Sequence, residues 1–268
     1  MSDYIRQNTV NMKFKNGESW AILSPIEQSI KAKIEAIGTP LRDWDIKINR
    51  GVLTGLNEAF IIDRSTRERL IAQDPKSAEI IRPILRGKDI KRNTYDFKDL
   101  YLITTHNGYE DTPAIDVTDY PAVKDWLDSE QWNNKQHLGT SSERLAARTD
   151  KGRTPYNLRD CKYMDDFSRQ KIMFSRISGN EPCFALDDDG YMTNDTGYII
   201  TGDHLDYLLE QLTSDVIWFA FRRYYMGGGI EKEFKVNNLA SLPIPLPDAQ
   251  SIQLTDEEIK FISASVKP

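Results

Sequence analysis

The sequence has 268 residues, which is enough for one or two globular domains of ordinary size. Hydrophobic residues make up 39% and charged residues 28% of the chain, a mixture typical of a protein that folds and stays soluble. The formal net charge of -6 excludes histone-like binding of polyanions by bulk charge, but it does not exclude a local basic groove.

The cysteine count and the apolar pattern bear on the compartment. Cys161 and Cys183 are too few for a disulfide framework or a four-ligand zinc site of the usual kind, which favours a reducing compartment. No apolar run reaches the length of a membrane span, and the residues after Met1 lack the apolar core of a signal peptide. We therefore expect an intracellular, cytoplasmic protein without membrane contact.

The first predicted element is an amphipathic helix. Ser24-Pro25-Ile26-Glu27 has the form of a capping box with proline at the first helical position, and Gly38 supplies a stop. The isoleucines that follow at helical spacing are Ile26, Ile30, Ile34 and Ile37. This pattern predicts a helix that packs on a core or forms an arm to something upstream.

The middle of the sequence has a pattern typical of short strands separated by turns. The predicted strands are Asp45–Ile48, Ala59–Asp63, Leu100–Thr105, Lys171–Ile177, Cys183–Leu186 and Tyr198–Thr201. A long irregular stretch, Asp119–Asp160, interrupts them and is rich in lysine and arginine. Ordered loops of that length are usually functional.

The pattern becomes helical again after Gly202. Leucines at helical spacing predict one helix, and a second begins at Ser214 and ends at Met226. A short acidic helix capped at Thr255 closes the chain. Strands and helices without a regular β-α-β repeat predict an α+β fold, a twisted mixed β-sheet with flanking helices and a C-terminal helical pair.

Several common catalytic signatures are missing from the sequence. It has no phosphate-binding P-loop and no dinucleotide-binding glycine loop after a strand. The histidines His106, His137 and His204 are far apart, so we expect no metal site. We also predict no catalytic residue in this chain.

One string resembles a nuclease signature. Asp248 followed by Glu258 and Lys260 fits a pattern in which two acids hold magnesium and a lysine assists hydrolysis. Glu258 and Lys260 fall within the predicted last helix, however, where side chains two residues apart point in different directions. A solvated terminal helix is the favoured interpretation, and a metal-dependent nuclease is the alternative.

The net charge hides a strong asymmetry along the chain. Residues 82–92 contain five basic residues and one acid, and residues 143–176 contain nine basic residues and five acids. Residues 181–215 instead contain nine acids and no lysine or arginine. Such a chain can present a basic face to a polyanion, because lysine and arginine neutralise phosphates while amides and arginines read base edges.

Several separated motifs occur in one order along the chain. They are INRGVLTGLNEAFIID at 48–63, IRPILRGKDI at 81–90, LITTHNG at 102–108, DKGRTPYNLR at 150–159, DDF at 165–167 with KI at 171–172, and LPIP at 242–245. In this order they resemble the TaqI-like C-terminal specificity domain, the target-recognition domain of type IIG restriction-modification enzymes and related adenine-N6 DNA methyltransferases. The resemblance covers about residues 24–247.

The resemblance implies a module that reads duplex DNA and is not an enzyme by itself. Family enzymes carry an upstream domain with an S-adenosylmethionine loop and an Asn-Pro-Pro-Tyr/Phe motif, and neither string occurs in this sequence. We therefore expect no cofactor in this chain, S-adenosylmethionine in a separate catalytic domain, and a methyltransferase in the same polypeptide or in another subunit. Residues 1–40 are then a polar lead and junction helix, 41–247 the recognition domain, and 248–268 a helical tail.

The resemblance and the local charge together give two sets of candidate DNA-binding residues. The predicted phosphate contacts are Lys47, Arg50, Thr54, Asn57, Arg86, Lys88 and Arg92. The predicted base readers are Arg148, Lys151, Arg153, Tyr156, Asn157 and Arg159. The alternative is a protein-interaction or specificity subunit that docks a partner through the acidic segment 181–215 without reading bases.

Overall fold

The computed structural model describes residues 23–129, 132, 144–177, 181–226 and 234–266. The chain forms two compact units: a terminal unit, Met1–Trp44 with Glu210–Pro268, and a central unit, Asp45–Leu209. The three-part division expected from the sequence stays a prediction. Within the described residues no helix is long and apolar enough to cross a membrane.

The α+β class predicted from the sequence is confirmed. The helices are α1 Pro25–Ile37, α2 Asn57–Phe60, α3 Arg64–Gln73, α4 Pro121–Leu127, α5 Arg144–Ala147, α6 Leu205–Thr213, α7 Asp215–Ala220, α8 Val236–Ala240 and α9 Asp256–Val266. The strands are β1 Thr39–Pro40, β2 Ile46–Arg50, β3 Ile61–Asp63, β4 Ile81–Leu85, β5 Ile90–Lys91, β6 Thr94–Tyr95, β7 Leu100–Ile103, β8 Lys171–Ser175, β9 Phe184–Asp187, β10 Met192–Thr193, β11 Gly197–Gly202 and β12 Pro243–Ile244.

The terminal unit begins with the helix that the isoleucine spacing predicted. The backbone N–H of Ser24 donates to Glu27 Oε2 at 2.7 Å, and the Glu27 N–H donates to Ser24 Oγ at 3.4 Å, so the capping box is formed. Ile30 and Ile34 are fully buried, as the amphipathic pattern requires. Strands β1 and β12 pair antiparallel after this helix.

Aromatic side chains fill the rest of the terminal unit. Helix α7 is capped by Ser214 and continues as a π-helix, Phe221–Tyr225. Trp218, Phe221 and Phe234 stack with ring centroids 5.0–6.0 Å apart. These rings are buried, so they stabilise the core and do not form an exposed stacking platform.

The central unit contains two four-stranded sheets. The first has the order β10-β4-β7-β3 and is mixed, because β10 runs parallel to β4 while the other pairs are antiparallel. The second has the order β2-β11-β8-β9 and is antiparallel throughout. One hydrophobic cluster takes side chains from both sheets, such as Ile84, Leu102, Met173 and Ile199. The strand ends and the loops that follow them form the candidate site.

Part of one predicted strand is helical. Asn57–Phe60 is a short helix, and only Ile61–Asp63 of the predicted strand is extended. Leu56, Ala59 and Phe60 are all buried, a helical spacing that places them together on the core. The turn begins at Thr54, whose hydroxyl accepts a hydrogen bond from the Leu56 N–H at 3.2 Å.

Candidate functional site

A basic loop, residues 148–160, follows helix α5; we call it the recognition loop. Arg148 at its start is only 6% exposed, and its guanidinium lies 4.4 Å over the ring of Phe60. The guanidinium donates to four backbone carbonyl oxygens, those of Thr54, Asp150, Pro155 and Asn157. Burial lowers the pKa of Arg148 to about 10, which leaves it charged at neutral pH. Arg148 therefore holds the two ends of the loop together from inside.

Asn157 fastens the other end of the recognition loop. It is 3% exposed, and its Nδ2 donates to the carbonyl oxygens of His106 at 3.3 Å and Ile115 at 2.8 Å. Its Oδ1 accepts a hydrogen bond from Thr154 Oγ1 at 2.6 Å. Both the nitrogen and the oxygen of the Asn157 amide are thus hydrogen-bonded, and the nitrogen connects the loop to the segment that follows strand β7.

Asn107 closes the loop at Gly152. Its Oδ1 accepts from the Arg153 N–H at 2.7 Å, and its Nδ2 donates to Asp160. A Cβ atom at position 152 would lie 2.4 Å from Asn107 Oδ1 and 2.7 Å from the Leu158 carbonyl oxygen. Only glycine fits this close approach without a shift of the neighbouring groups.

The outer face of the recognition loop carries cations. Lys151, Arg153 and Arg159 are exposed. Lys151 Nζ donates to the Ala146 carbonyl oxygen, and Arg159 forms an ion pair with Asp150 at 3.0 Å. The Arg153 side chain makes no hydrogen bond or ion pair with a residue that the structure describes, so its donors are available to a ligand.

Tyr156 is half-buried on the same loop. Its hydroxyl donates to Asp128 Oδ1 at 2.6 Å, and Lys124 Nζ lies 5.6 Å from its ring centroid. The hydrogen bond to Asp128 and burial raise the pKa of Tyr156, so the hydroxyl stays protonated at neutral pH.

A second basic region lies where the ends of strands β4, β2 and β8 meet. We call residues 86–93 with 194–196 the basic turns. The Gly87 N–H donates to Thr196 Oγ1 at 2.8 Å, and a Cβ at position 87 would lie 2.1 Å from the Thr196 carbonyl oxygen. Lys88, Lys91 and Arg92 are exposed on these turns.

Two predicted phosphate contacts on and beside the basic turns already have acidic partners. The Arg86 guanidinium binds both oxygens of Asp89, at 2.8 and 2.9 Å. Arg50 reaches Asp195, with Nε donating to its carbonyl oxygen at 3.4 Å and Nη2 to its Oδ2 at 3.5 Å. Arg86 and Arg50 therefore hold the turns in shape. Among the described residues, the positive charges of the exposed lysines are less neutralised by acidic side chains than those of these two arginines.

Three sequence predictions need correction. Thr54, Arg148 and Asn157 are 2%, 6% and 3% exposed, so they do not contact a phosphate or a base edge in this conformation. The side chains of Arg148 and Asn157 are hydrogen-bonded within the loops, as described above. Thr54 Oγ1 likewise donates to Asn57 Oδ1 at 2.6 Å. The sequence pattern did not distinguish the side chains that support this loop from the side chains that are exposed on it.

The remaining predicted contacts lie at exposed or half-buried positions and stay predictions. Lys47 is exposed on strand β2, and Asn57 is exposed at the start of α2. Asn107, a supporting residue that was not among the predicted contacts, lies in an Asn-Gly pair whose Gly108 has φ of 85°. That pair was the sequence signal for a tight turn beside the recognition loop.

The nuclease alternative is not supported by the contacts of Glu258. This carboxylate accepts from Ser29 Oγ and Lys33 Nζ, at 2.7 Å each, and from the Thr255 N–H. It caps helix α9 and binds helix α1, so it is already occupied. The described residues contain no group of three or more potential metal ligands, and His137 lies outside them.

The acidic segment 181–215 is not one free acidic face. Asp187 is fully buried and bonded to Lys171, and Asp195 is paired with Arg50. The other acids of the segment are exposed on different elements, such as Asp188 after β9 and Asp206 on α6. Part of the segment's negative charge is therefore paired with cations within the central unit.

The sequence model described as the TaqI-like C-terminal specificity domain matches residues 82–244. The chain belongs to this family. The match includes the basic turns, the recognition loop and three strands of the second sheet, β8, β9 and β11, but not β2. A comparison with curated proteins finds no match to this TaqI-like specificity domain.

The solved structures that are similar to this chain include two restriction-modification enzymes. The first is from a study titled as the characterization and crystal structure of the type IIG restriction endonuclease BpuSI; it has a TM-score of 0.50 and 15% identity over 91% of this chain. The second is titled as the type IIL restriction-modification enzyme MmeI in complex with DNA, with a TM-score of 0.44 and 14% identity over 85% of this chain. The similarity to BpuSI supports the fold alone. This chain covers only 28% and 26% of the two solved chains.

Proposed function

We propose that the central unit binds duplex DNA, reads a short base sequence, and positions an adenine-N6 methyltransferase that lies outside these residues. Membership of the specificity-domain family supports the recognition role. The chemistry of methyl transfer needs S-adenosylmethionine and a pocket for a flipped base, which we assign to another part of the polypeptide or to another subunit.

One observation carries this proposal: the recognition loop is fixed from within, and it carries an exposed arginine whose side chain is not bonded to any residue that the structure describes. Arg148 and Asn157 are buried and bonded to backbone groups, while Arg153 is exposed beside the bond from its own N–H to Asn107. Sequence reading requires a donor held in a defined position, because bidentate bonds from arginine to the O6 and N7 atoms of guanine are directional. Arg153 is accordingly the principal candidate base reader.

The basic turns supply the affinity that does not depend on sequence. Lys88, Lys91 and Arg92 lie close together on exposed turns, and Lys91 Nζ donates to the Lys88 carbonyl oxygen at 2.8 Å. Cations in such a cluster neutralise backbone phosphates and release counterions, which makes binding sensitive to salt. Phosphate contacts also set the register in which a reading loop meets the bases.

The test is a salt titration of duplex binding by the full 268-residue chain, with measurement of the dissociation constant by fluorescence anisotropy. We expect the logarithm of the binding constant to fall linearly with the logarithm of salt, with a slope that corresponds to several phosphate contacts. Competition by random duplex should be much weaker than competition by a duplex selected from a random library. Binding that is insensitive to salt, or that makes no distinction between these duplexes, would contradict the proposal.

The protein-interaction alternative predicts a different pattern. It requires charge reversal at exposed acids such as Asp188 and Asp189 to remove a partner's binding, while charge reversal at Arg153 leaves that binding intact. Under our proposal, reversal at Arg153 removes selective DNA binding and reversal at these acids does not.

A further inference from the structure

One apolar side chain is conspicuously exposed in the central unit. Ile177 is 59% exposed, the largest value among the exposed large hydrophobic residues of the described chain. The other two, Leu246 and Ile259, belong to the terminal unit. An isolated exposed isoleucine is ordinary on a protein surface, so its surroundings decide whether it has a role.

Ile177 lies directly beside the basic turns. It follows strand β8, and the N–H of the preceding residue, Arg176, donates to the Thr196 carbonyl oxygen at 2.8 Å. Thr196 in turn accepts from the Gly87 N–H at 2.8 Å, next to Lys88. Two hydrogen bonds therefore connect the residue before Ile177, through Thr196, with the turn that carries the exposed lysines.

The backbone at Ile177 is held by a local hydrogen bond. Its own N–H donates to Ser175 Oγ at 3.3 Å, and Ser175 is buried. The side chain is β-branched and has restricted rotation about its first bond. A contact by this side chain consequently loses little conformational entropy, which is the property of a built recognition residue.

We infer that Ile177 contacts the 5-methyl group of a thymine in the major groove, an inference that rests on the proposed function. The thymine methyl is the apolar group that a base edge presents there, and aliphatic side chains recognise it by exclusion of water. The neighbouring cations would hold the backbone phosphates while Ile177 meets the base. This makes Ile177 a determinant of specificity rather than of general affinity.

The test combines a protein variant with a change in the DNA. Duplexes are selected from a random library by the full 268-residue chain, and each thymine of the selected site is replaced in turn by deoxyuridine, which lacks the 5-methyl group. We expect one replacement to weaken binding about fourfold, the effect of one buried methyl group. Ile177→Ala should weaken binding to the parent duplex roughly tenfold and should be insensitive to that same replacement.

The matched control is Ile259→Ala, which removes another exposed isoleucine, 48% exposed, from helix α9. It should bind the parent duplex as tightly as the original chain and keep the deoxyuridine effect. The inference is overturned if Ile177→Ala binds normally, if it keeps every deoxyuridine effect, or if the selected site contains no thymine. A weakened Ile177→Ala that keeps every such effect would indicate a wedge between base steps instead. Failure to select any duplex would overturn the proposed function itself.

Discussion

Arg148 and Arg153 belong to the same loop, but their side chains meet opposite environments. Arg148 is buried and donates to four carbonyl oxygens, whereas Arg153 is exposed and its side chain forms no hydrogen bond or ion pair with a described residue. Removal of a buried guanidinium leaves its carbonyl acceptors without donors, which destabilises the fold. At the scale of single residues, one arginine thus supports the loop, and the other is the residue that we propose to contact DNA.

Arg148→Ala should therefore be strongly destabilising. We expect a loss of about 3 kcal/mol or more in the free energy of unfolding, because buried carbonyl oxygens lose their donors and a cavity opens beside Phe60. Arg148→Lys should recover only part of this, since an ammonium group lacks the planar arrangement of five donors. Urea unfolding monitored by circular dichroism measures both. A loss below about 0.5 kcal/mol for Arg148→Ala, the size of an ordinary surface change, would contradict the supporting role.

The recognition loop acts as one element because separate contacts close it. Asn107 bonds to both sides of the loop, and Gly152 allows the approach that this requires. Local sequence signals predict such elements only in part. The capping box at Ser24 predicted α1 correctly because all its partners lie within one turn.

Helix α3 was not predicted from the sequence, although Asp63 caps it. Its apolar content is low and only Leu70 is buried, so the periodic signal that reveals most helices is absent. The burial of Arg148 was equally hidden, because its acceptors come from residues on both sides of the loop and from Thr54, far away in sequence. Such contacts depend on tertiary structure and leave no local pattern.

Gly152→Ala should disturb the loop without unfolding the central unit. The added Cβ forces Asn107 or the Leu158 carbonyl away, so we expect at least a tenfold loss of selective duplex affinity with a small loss of stability. Gly190→Ala is the comparison variant, because it also adds one methyl group but on a different turn. Gly190 has φ of 75°, so alanine at this position strains the backbone of that turn instead. Equal DNA binding by the Gly152→Ala variant and the original chain would show that this closure does not matter for recognition.

Helices α1 and α9 are joined by a carboxylate, and this gives a prediction about pH. The hydrogen bond from Lys33 is the main cause that lowers the pKa of Glu258 to about 2, below its ordinary value of 4.5. Because the folded-state pKa is lowered, the ionised carboxylate stabilises the fold above pH 4.5, and that stability is lost as the pH falls from 4.5 towards 2.

Glu258→Gln should remove this component of the acid sensitivity. We expect about 2 kcal/mol less stability at neutral pH, the size of a lost charged hydrogen bond, and a smaller further loss between pH 4.5 and pH 2. Glu257→Gln is the matched control, because Glu257 is exposed on the same helix. Unfolding free energies measured across this pH range would contradict the assignment if both variants behaved alike.

At the scale of the whole molecule, the net charge of -6 gives little information about binding. Part of the acidic excess is internal, as with Asp187 against Lys171, or pairs with a cation beside the basic turns, as with Asp195 against Arg50. The exposed cations of the recognition loop and basic turns lie in one unit. The ordered motifs predicted the family, and the succession of short strands and helices predicted the α+β class, whereas the division between supporting and exposed residues required the structure.

We propose that the recognition loop reads DNA through Arg153. The most direct measurement is the affinity of Arg153→Ala for the selected duplex, together with its free energy of unfolding, against Lys260→Ala as a control that removes an exposed cation from helix α9. We predict a loss of about 1–3 kcal/mol in selective binding for Arg153→Ala, a stability within about 0.5 kcal/mol of the original chain, and no change in binding for Lys260→Ala. Unchanged selectivity of Arg153→Ala, or an equal loss in both variants, would contradict the account.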